Sequence, residues 1–126
     1  MSSNRRSLIF IVDDHDVIAS TLTEILNVSG FECVGFSDPL KALQAIESNA
    51  PDVLIADALM PKMSGIQLAL RTKTLSPSTK VLILTALMNA GELDQARGHD
   101  FDVLQKPISP PELIRMLNSL CPNHSD

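Results

Sequence analysis

The sequence predicts an α/β domain with a doubly wound, five-stranded parallel sheet and helices on both of its faces. Two observations support this prediction. Short runs of apolar and β-branched residues alternate about five times with segments in which apolar residues recur every three to four positions, as they do in amphipathic helices. The first, third and fourth runs are almost entirely apolar, which is typical of parallel strands that crossover helices cover on both faces.

The first half of the chain contains three of the predicted strands and two of the helices. Residues 7–12 are a continuous β-branched and aromatic run, residues 31–36 are predicted as a second strand, and the helix between them ends at Gly30. A second helix begins at Pro39, because Pro suits the first helical turn and the preceding polar residues can cap it. The third strand ends at Asp57. The first helix is indicated by apolar residues that recur every three to four positions, and the second has an inner stripe: Val17, Ile18, Leu22, Ile25, Leu26 and Val28 in the first, and Leu40, Leu43 and Ile46 in the second.

The second half of the chain repeats the alternation. A helix is predicted over Gly65–Leu75, a buried strand over 80–84 and a short strand over Asp102–Gln105. The helix predicted over 89–97 has few apolar positions and contains a glycine, which lowers helix propensity. The last helix begins with a capping signature, Ser-Pro-Pro-Glu, at Ser109.

The composition fits one compact domain. The chain has 126 residues, of which 44% are hydrophobic and 20% charged. We expect residues 1–126 to form a single domain, with a polar leader at 1–6 and a polar tail, or the start of a linker, at 122–126. The net charge of −5 argues against a surface that binds nucleic acid.

Two further features concern the compartment. Cys33 and Cys121 have no partner ligands at metal-binding spacing, and two cysteines do not make a disulfide framework. No apolar run reaches the roughly 18 residues of a membrane span, and the leader lacks the apolar segment of a signal peptide. We therefore expect a cytoplasmic protein that is not bound to the membrane.

Polar residues follow several of the predicted strands: Asp13 and Asp14 after the first, Asp57 at the end of the third, Thr85 after the fourth and Lys106 after the last. Because the carboxyl ends of parallel strands meet at one edge of a sheet, we expect these side chains to converge. Carboxylates about 4 Å apart repel by roughly 1 to 4 kcal/mol, so three of them are stable together only with a cation nearby or with raised pKa values. Oxygen ligands without His or Cys favour Mg²⁺, and Asp57 beside a metal, a lysine and a hydroxyl is suited to phosphoryl transfer.

The chain resembles a known family, the receiver domain of two-component response regulators. The resemblance runs from Leu8 to about Leu120 and implies a flavodoxin-like fold. It rests on four motifs, each at the expected strand end: Asp13-Asp14, Asp57-x-x-Met60-Pro61-x-Met63-x-Gly65, Thr85-Ala86 and Lys106-Pro107.

The resemblance implies a role for each acid. Asp57 would accept a phosphoryl group from a phosphohistidine of a sensor histidine kinase or phosphotransfer protein. Asp14 and Asp57 would bind Mg²⁺ directly, Asp13 would bind it through water, and the main-chain carbonyl of Leu59 would complete the protein ligands. The domain would catalyse its own phosphorylation and slow dephosphorylation, and so act as a timed switch and not as a turnover enzyme.

The resemblance also implies how the phosphoryl group is held and read out. Lys106 would pair with the phosphoryl oxygens, and its bond to Pro107 would be cis. Thr85 would hydrogen-bond the phosphoryl group once it is attached, and the output surface would change for an effector domain or a downstream protein. The domain would be a monomer or a phosphorylation-dependent homodimer. The chain departs from the family at Val103, where an aromatic residue is usual.

The sequence is also compatible with other functions. A receiver-like adaptor that works without phosphorylation is the main alternative, and Val103 keeps it in view. A flavodoxin-like electron carrier is disfavoured, because the chain has no Trp or Tyr to stack on a flavin and no phosphate loop after its first strand. An aspartate-nucleophile phosphatase usually has a second acid where this chain has Leu59. His15 is interpreted as an exposed polar residue at the start of a helix.

Overall fold

The computed structural model describes residues 6–86, 91, 94, 98, 99 and 101–121. Within these residues the chain forms five strands and four helices. The strands are β1 (Leu8–Val12), β2 (Glu32–Phe36), β3 (Val53–Asp57), β4 (Lys80–Thr85) and β5 (Asp102–Gln105). The helices are α1 (Asp16–Val28), α2 (Pro39–Ser48), α3 (Gly65–Leu75) and α4 (Pro110–Leu120).

The five strands lie in one parallel sheet in the order β2-β1-β3-β4-β5. β1 pairs with β2 on one side and with β3 on the other, so the direction in which strands are added reverses after β2. This is the strand order of flavodoxin-like folds, and the carboxyl ends of β1 and β3 are its topological switch point. The predicted fold class is confirmed.

Alternate residues of each strand pack on opposite faces of the sheet. Ile9 and Ile11 of β1 belong to a cluster with the buried residues of α1 and α4, whereas Phe10 and Val12 pack with those of α2 and α3. Both faces of the sheet are therefore covered by apolar side chains. This coverage is the reason that the three central strands, β1, β3 and β4, are almost entirely apolar in sequence, whereas the edge strands β2 and β5 also contain exposed residues.

The ends of the helices follow local capping rules. At the start of α2, the Asp38 carboxylate accepts a hydrogen bond from the Leu40 amide at 3.0 Å. Gly30, just past α1, has a φ of 103°, which glycine adopts without strain. Ser109 accepts a hydrogen bond from the Glu112 amide at the start of α4. The predicted helix ends at Gly30, Pro39 and Ser109 thus agree with the structure.

The predicted inner face of α2 is wrong at one position. Leu40 is 47% exposed, because the helix turns Pro39, Ala42 and Ile46 toward the sheet instead.

The predicted strand boundaries agree with the structure to within one residue, since β1 begins at Leu8, β2 begins at Glu32 and β4 extends through Thr85. The helix predicted over 89–97 lies largely outside the described residues and stays a prediction. Both cysteines are buried and free, as expected. Among the described residues, no helix has both the length and the apolar composition needed to cross a membrane.

Candidate functional site

Two of the predicted site residues, Asp13 and Asp57, lie at the topological switch point of the sheet. Asp13 directly follows β1, and Asp57 is the last residue of the neighbouring strand β3. Main-chain hydrogen bonds continue past both of them, from the Asp13 amide to the Phe36 carbonyl at 3.0 Å and from the Ala58 amide to the Leu84 carbonyl at 2.8 Å. The sheet itself therefore fixes the backbone that carries these two carboxylates.

Thr85 and Lys106 reach the same edge from the other side of β3. Thr85 ends β4, pairs with Gln105 of β5 and is buried. The Lys106 amide donates to the Thr85 carbonyl oxygen at 2.7 Å. The peptide bond from Lys106 to Pro107 is cis, as the resemblance predicts. The main chain thus joins these two predicted site residues directly.

The Lys106 ammonium lies between two carboxylates. Its Nζ is 3.2 Å from Asp57 Oδ1 and 3.5 Å from Asp13 Oδ2. Both acids are buried, with 1% of Asp13 and 7% of Asp57 exposed. Buried charges persist in proteins when they are paired, and Lys106 pairs with both of these carboxylates.

The fold raises the pKa of both members of the ion pair, Asp57 and Lys106. Burial raises the pKa of the Asp57 carboxyl, and the hydrogen bond from Lys106 offsets that rise only in part, while the charge of Asp13 adds to it. Burial acts in the opposite sense on Lys106, but the hydrogen bond to Asp57 and the charge of Asp13 outweigh it, so the pKa of Lys106 is raised. The ionised form of Asp57 would therefore gain from a further positive charge.

Four side chains that can bind a metal converge beside this pair: Asp13, Asp14, His15 and Asp57. One ligand atom from each lies within 4.8 Å of all the others, and ligands on opposite sides of Mg²⁺ are about 4.2 Å apart. Asp14 Oδ1 is buried and has no hydrogen-bond partner among the described residues. A cation would satisfy such an oxygen. The oxygen donors and this orphaned atom fit Mg²⁺.

The neighbouring acids Asp13 and Asp14 differ in their contacts. Asp13 Oδ1 accepts a hydrogen bond from the His15 amide at 2.9 Å and lies 3.1 Å from His15 Nδ1. The other oxygen of Asp13 faces Lys106. Asp14 is 28% exposed at its side chain, and its Oδ1 lies 3.5 Å from His15 Nδ1. The pKa of His15 is raised, first by the hydrogen bond between its side chain and Asp13 and then by the negative charges of Asp14 and Asp13.

A glycine brings the start of α3 against Asp57. The Gly65 amide donates to the Ala58 carbonyl at 3.0 Å. Ser64 and Gln67 form a capping box around this helix start. A Cβ at position 65 would collide with the carbonyl group of Asp57, so a larger residue would displace either the helix or the strand end. The sequence interpretation used Gly65 only as part of a motif and missed this contact.

The structure brings four of the predicted site residues into one contact network: Asp13, Asp14, Asp57 and Lys106. Thr85 joins them through its main-chain bond to Lys106. Leu59 follows two residues after Asp57 with its side chain 68% exposed, and metal binding by its carbonyl stays a prediction. His15 is exposed, as expected, but it also contacts the acid pair. The sequence interpretation missed this contact, although the position of His15 directly after Asp14 could have suggested it.

Comparison with known proteins gives a consistent result. The family model of the response regulator receiver domain matches residues 9–118. That span includes four strands entirely, all of β1 except Leu8, and most of α4. It also contains every residue of the acidic cluster and Lys106.

Individual relatives agree with the family model. The chain is 32% identical over 117 residues to the DNA-binding transcriptional regulator NtrC of Escherichia coli (strain K12), covering 90% of this chain and 24% of NtrC. It is 33% identical over 119 residues to the transcriptional regulatory protein CreB of the same strain, covering 92% of this chain and 51% of CreB. This chain therefore spans about half of the length of CreB and about a quarter of that of NtrC.

A solved structure shares the fold. The response regulator receiver domain protein from Clostridium thermocellum superposes with a TM-score of 0.81 at 29% identity, covering 92% of this chain and 94% of that one. The family model covers most of the sequence, and the acids and lysine cluster at the switch point of the sheet. This chain therefore belongs to the response regulator receiver domains, which accept phosphoryl groups in two-component signalling.

Proposed function

We propose that Asp57 is the residue that accepts the phosphoryl group in this receiver domain. One observation carries the proposal: a buried carboxylate at the end of β3 has the Lys106 ammonium 3.2 Å from its Oδ1 and the acid pair beside it. Both oxygens of Asp13, the other buried acid, are already engaged by His15 and Lys106. Asp57 is thus the buried acid best placed to react.

The reaction transfers phosphorus from one nucleophile to another. An oxygen of Asp57 bonds to phosphorus while the bond from phosphorus to the donor atom breaks, and the electron pair of that bond leaves with the donor. The Lys106 ammonium stands where negative charge collects on the phosphoryl oxygens. Because it is already held by Asp57 and Asp13, it needs little reorganisation to stabilise that charge.

We assign the acids different roles toward Mg²⁺. When bound, Mg²⁺ supplies positive charge that offsets the carboxylates and the phosphoryl oxygens. Asp14 and Asp57 would be direct ligands, and the buried, unpartnered Oδ1 of Asp14 supports this assignment. Asp13 would bind through water, because His15 and Lys106 occupy its two oxygens.

Two further roles follow from the family resemblance. The main-chain carbonyl of Leu59, in the loop after Asp57, would complete the protein ligands of the cation. The Thr85 hydroxyl would hydrogen-bond an oxygen of the attached phosphoryl group. Because Thr85 ends β4 and its carbonyl is bonded to Lys106, such a bond would transmit the chemical change to the neighbouring strand and to the output surface.

The biological setting is part of the proposal. Receiver domains act with histidine kinases and with effector domains. We propose that residues 1–126 form a single receiver domain that takes its phosphoryl group from the phosphohistidine of a sensor histidine kinase or of a phosphotransfer protein. It would act in the cytoplasm on an effector domain or a separate protein, as a monomer or as a phosphorylation-dependent homodimer.

The test uses a small phosphodonor and two matched variants. The wild-type chain, Asp57→Asn and Asp52→Asn are incubated with acetyl phosphate with and without Mg²⁺, and the intact mass of each is measured. Asp52 is a suitable control because it lies at the opposite end of the same strand, where its Oδ2 accepts a hydrogen bond from the Leu8 amide at 2.8 Å.

The expected result is one phosphoryl adduct on the wild type and on Asp52→Asn, formed only with Mg²⁺, and none on Asp57→Asn. An adduct that persists in Asp57→Asn would place the reaction elsewhere. No adduct on any of the three chains would favour the adaptor that works without phosphorylation.

A further inference from the structure

The imidazole of His15 lies at the rim of the acidic cluster. Its Nδ1 is 3.1 Å from Asp13 Oδ1 and 3.5 Å from Asp14 Oδ1. Its main-chain amide is bonded to the same Asp13 oxygen at 2.9 Å, so two contacts orient the residue. The ring is nevertheless 64% exposed, and a hydrated ion can therefore reach it.

The cluster is compact enough for one ion to contact the ring and the acids together. A ring nitrogen of His15 and one oxygen from each of Asp13, Asp14 and Asp57 lie within 4.8 Å of one another. Among the described residues, the buried Oδ1 of Asp14 has no hydrogen-bond partner, and it lies 3.5 Å from His15 Nδ1. The imidazole is thus close to an oxygen whose hydrogen bonding a cation could satisfy.

A nitrogen donor changes which ion is preferred. Carboxylate, carbonyl and water oxygens suit Mg²⁺, whereas imidazole favours Ni²⁺, Cu²⁺ and Zn²⁺, which also bind more tightly in general. An acidic pocket without a histidine would select among ions by their oxygen chemistry alone. This pocket offers three carboxylates and one imidazole from Asp13, Asp14, His15 and Asp57.

We propose that His15 makes this pocket a mixed nitrogen and oxygen site, which binds a borderline divalent ion such as Ni²⁺ or Zn²⁺ through His15 and Asp14. The proposal rests on the cation pocket of the proposed function. An ion held in this way would compete with Mg²⁺ for Asp14 and would hinder the entry of a phosphodonor. Phosphorylation of the domain would then depend on which divalent ion is present as well as on the phosphodonor.

The test measures binding directly, with Ni²⁺ and Mg²⁺ as separate probes. Isothermal titration calorimetry on the untagged full chain gives the affinity of each ion for the wild type, His15→Asn, His15→Gln and the control His99→Asn. His99 is a suitable control because its ring stacks on Phe101, with the centroids 5.6 Å apart. Circular dichroism melting curves check that each variant is folded, and the broadening of imidazole NMR signals by Ni²⁺ identifies the histidine that binds.

We expect both His15 variants to bind Ni²⁺ at least about tenfold more weakly, since the loss of even an outer partner of a metal ligand commonly costs about 10- to 100-fold in affinity. Their Mg²⁺ affinity should change much less, His99→Asn should match the wild type, and the His15 signals should broaden first. Equal Ni²⁺ affinity in the wild type and in the His15 variants would overturn the proposal. An equal loss for both ions would also overturn it, because that result would mean only that His15 positions Asp13.

The two proposals fail separately. If the wild type forms no phosphoryl adduct with acetyl phosphate and Mg²⁺, the role of Asp57 is wrong, whereas the Ni²⁺ titration still gives its own answer. If the adduct forms but the His15 variants keep full Ni²⁺ affinity, only the inference about His15 is wrong. As a positive control, Asp14→Asn should weaken the binding of both ions.

Discussion

The two edges of the β-sheet carry the same three kinds of polar side chain in different surroundings. At the amino edge, Asp52 accepts a hydrogen bond from the Leu8 amide at 2.8 Å. The Thr79 hydroxyl, which is fully buried, donates to the Pro51 carbonyl at 2.8 Å. The ammonium of Lys73 donates to the Thr79 carbonyl at 2.5 Å. In each case a polar side chain binds the main chain.

At the carboxyl edge, the corresponding residues face one another. Asp57 and Lys106 form an ion pair at 3.2 Å, and a second buried carboxylate, that of Asp13, lies 3.5 Å from the same ammonium. Asp14 adds a buried oxygen without a hydrogen-bond partner among the described residues. Residue type alone therefore does not make a site. A site results where polar groups are left to interact with each other and with a ligand.

The lysines give the largest expected difference between the edges. Lys106→Met should slow the formation of the phosphoryl adduct by about 100-fold, because it removes the protein charge that faces the phosphoryl oxygens. Lys73→Met should leave that rate unchanged and lower the free energy of unfolding by about 1 kcal/mol, because it removes hydrogen bonds to main-chain carbonyls. Rates are measured by intact mass against time and stabilities by urea denaturation. A similar loss of rate in both variants would contradict the distinction between the edges.

The threonines give the next difference. Thr79→Val should lower the free energy of unfolding by about 1 to 3 kcal/mol, because the Pro51 carbonyl and the Ser76 hydroxyl lose a partner at a buried position. It should not affect phosphorylation. Thr85→Val should still accept the phosphoryl group, but phosphorylation should cause smaller NMR shift changes in β4 than in the wild type. An unchanged pattern of shifts in Thr85→Val would remove Thr85 from the proposed response.

The aspartates give the smallest difference, in stability at different pH values. The pKa of Asp57 is raised in the fold, so the stability that this group contributes is present at acidic pH and is lost as pH rises through the folded pKa. In EDTA at pH 7, Asp57→Asn should therefore be more stable than the wild type by about 1 kcal/mol. This gap should shrink toward pH 4.

Two controls sharpen this last prediction. Asp52→Asn keeps an acceptor for the Leu8 amide, so it should bring no such gain in stability. Adding Mg²⁺ should stabilise the wild type more than Asp57→Asn, because binding to the folded state alone raises stability. A wild type that is more stable than Asp57→Asn at pH 7 in EDTA would show that the ion pair with Lys106 outweighs the burial of Asp57.

Much of the fold could be predicted from the sequence, because local rules determine it. Residues 8–12 are apolar without a break, which is the pattern of a strand that is covered on both faces. Pro39, Gly30 and Ser109 mark helix ends through chain geometry and hydrogen bonding that involve only near neighbours. The helix over 89–97 had the weakest local pattern, and it lies largely outside the described residues.

The site could be predicted only in part. Asp57 and Lys106 stand at strand ends, and the parallel topology places strand ends at one edge. The contact of Gly65 with the Asp57 carbonyl depends on the angle at which α3 leaves the sheet, which no local pattern specifies. The approach of His15 to Asp13 depends on the turn between β1 and α1, so its place in the cluster was visible only in the structure.

The alternation of strands and helices, and the gathering of Asp13, Asp57, Thr85 and Lys106 at one edge, could be inferred from the amino-acid sequence, because both follow from periodicity and from the direction of parallel strands. Only the folded chain shows that Lys106 lies between two buried carboxylates and that an oxygen of Asp14 has no hydrogen-bond partner among the described residues. Such contacts depend on strand order, on burial and on distances of a few ångströms, which arise only when separate segments pack against one another.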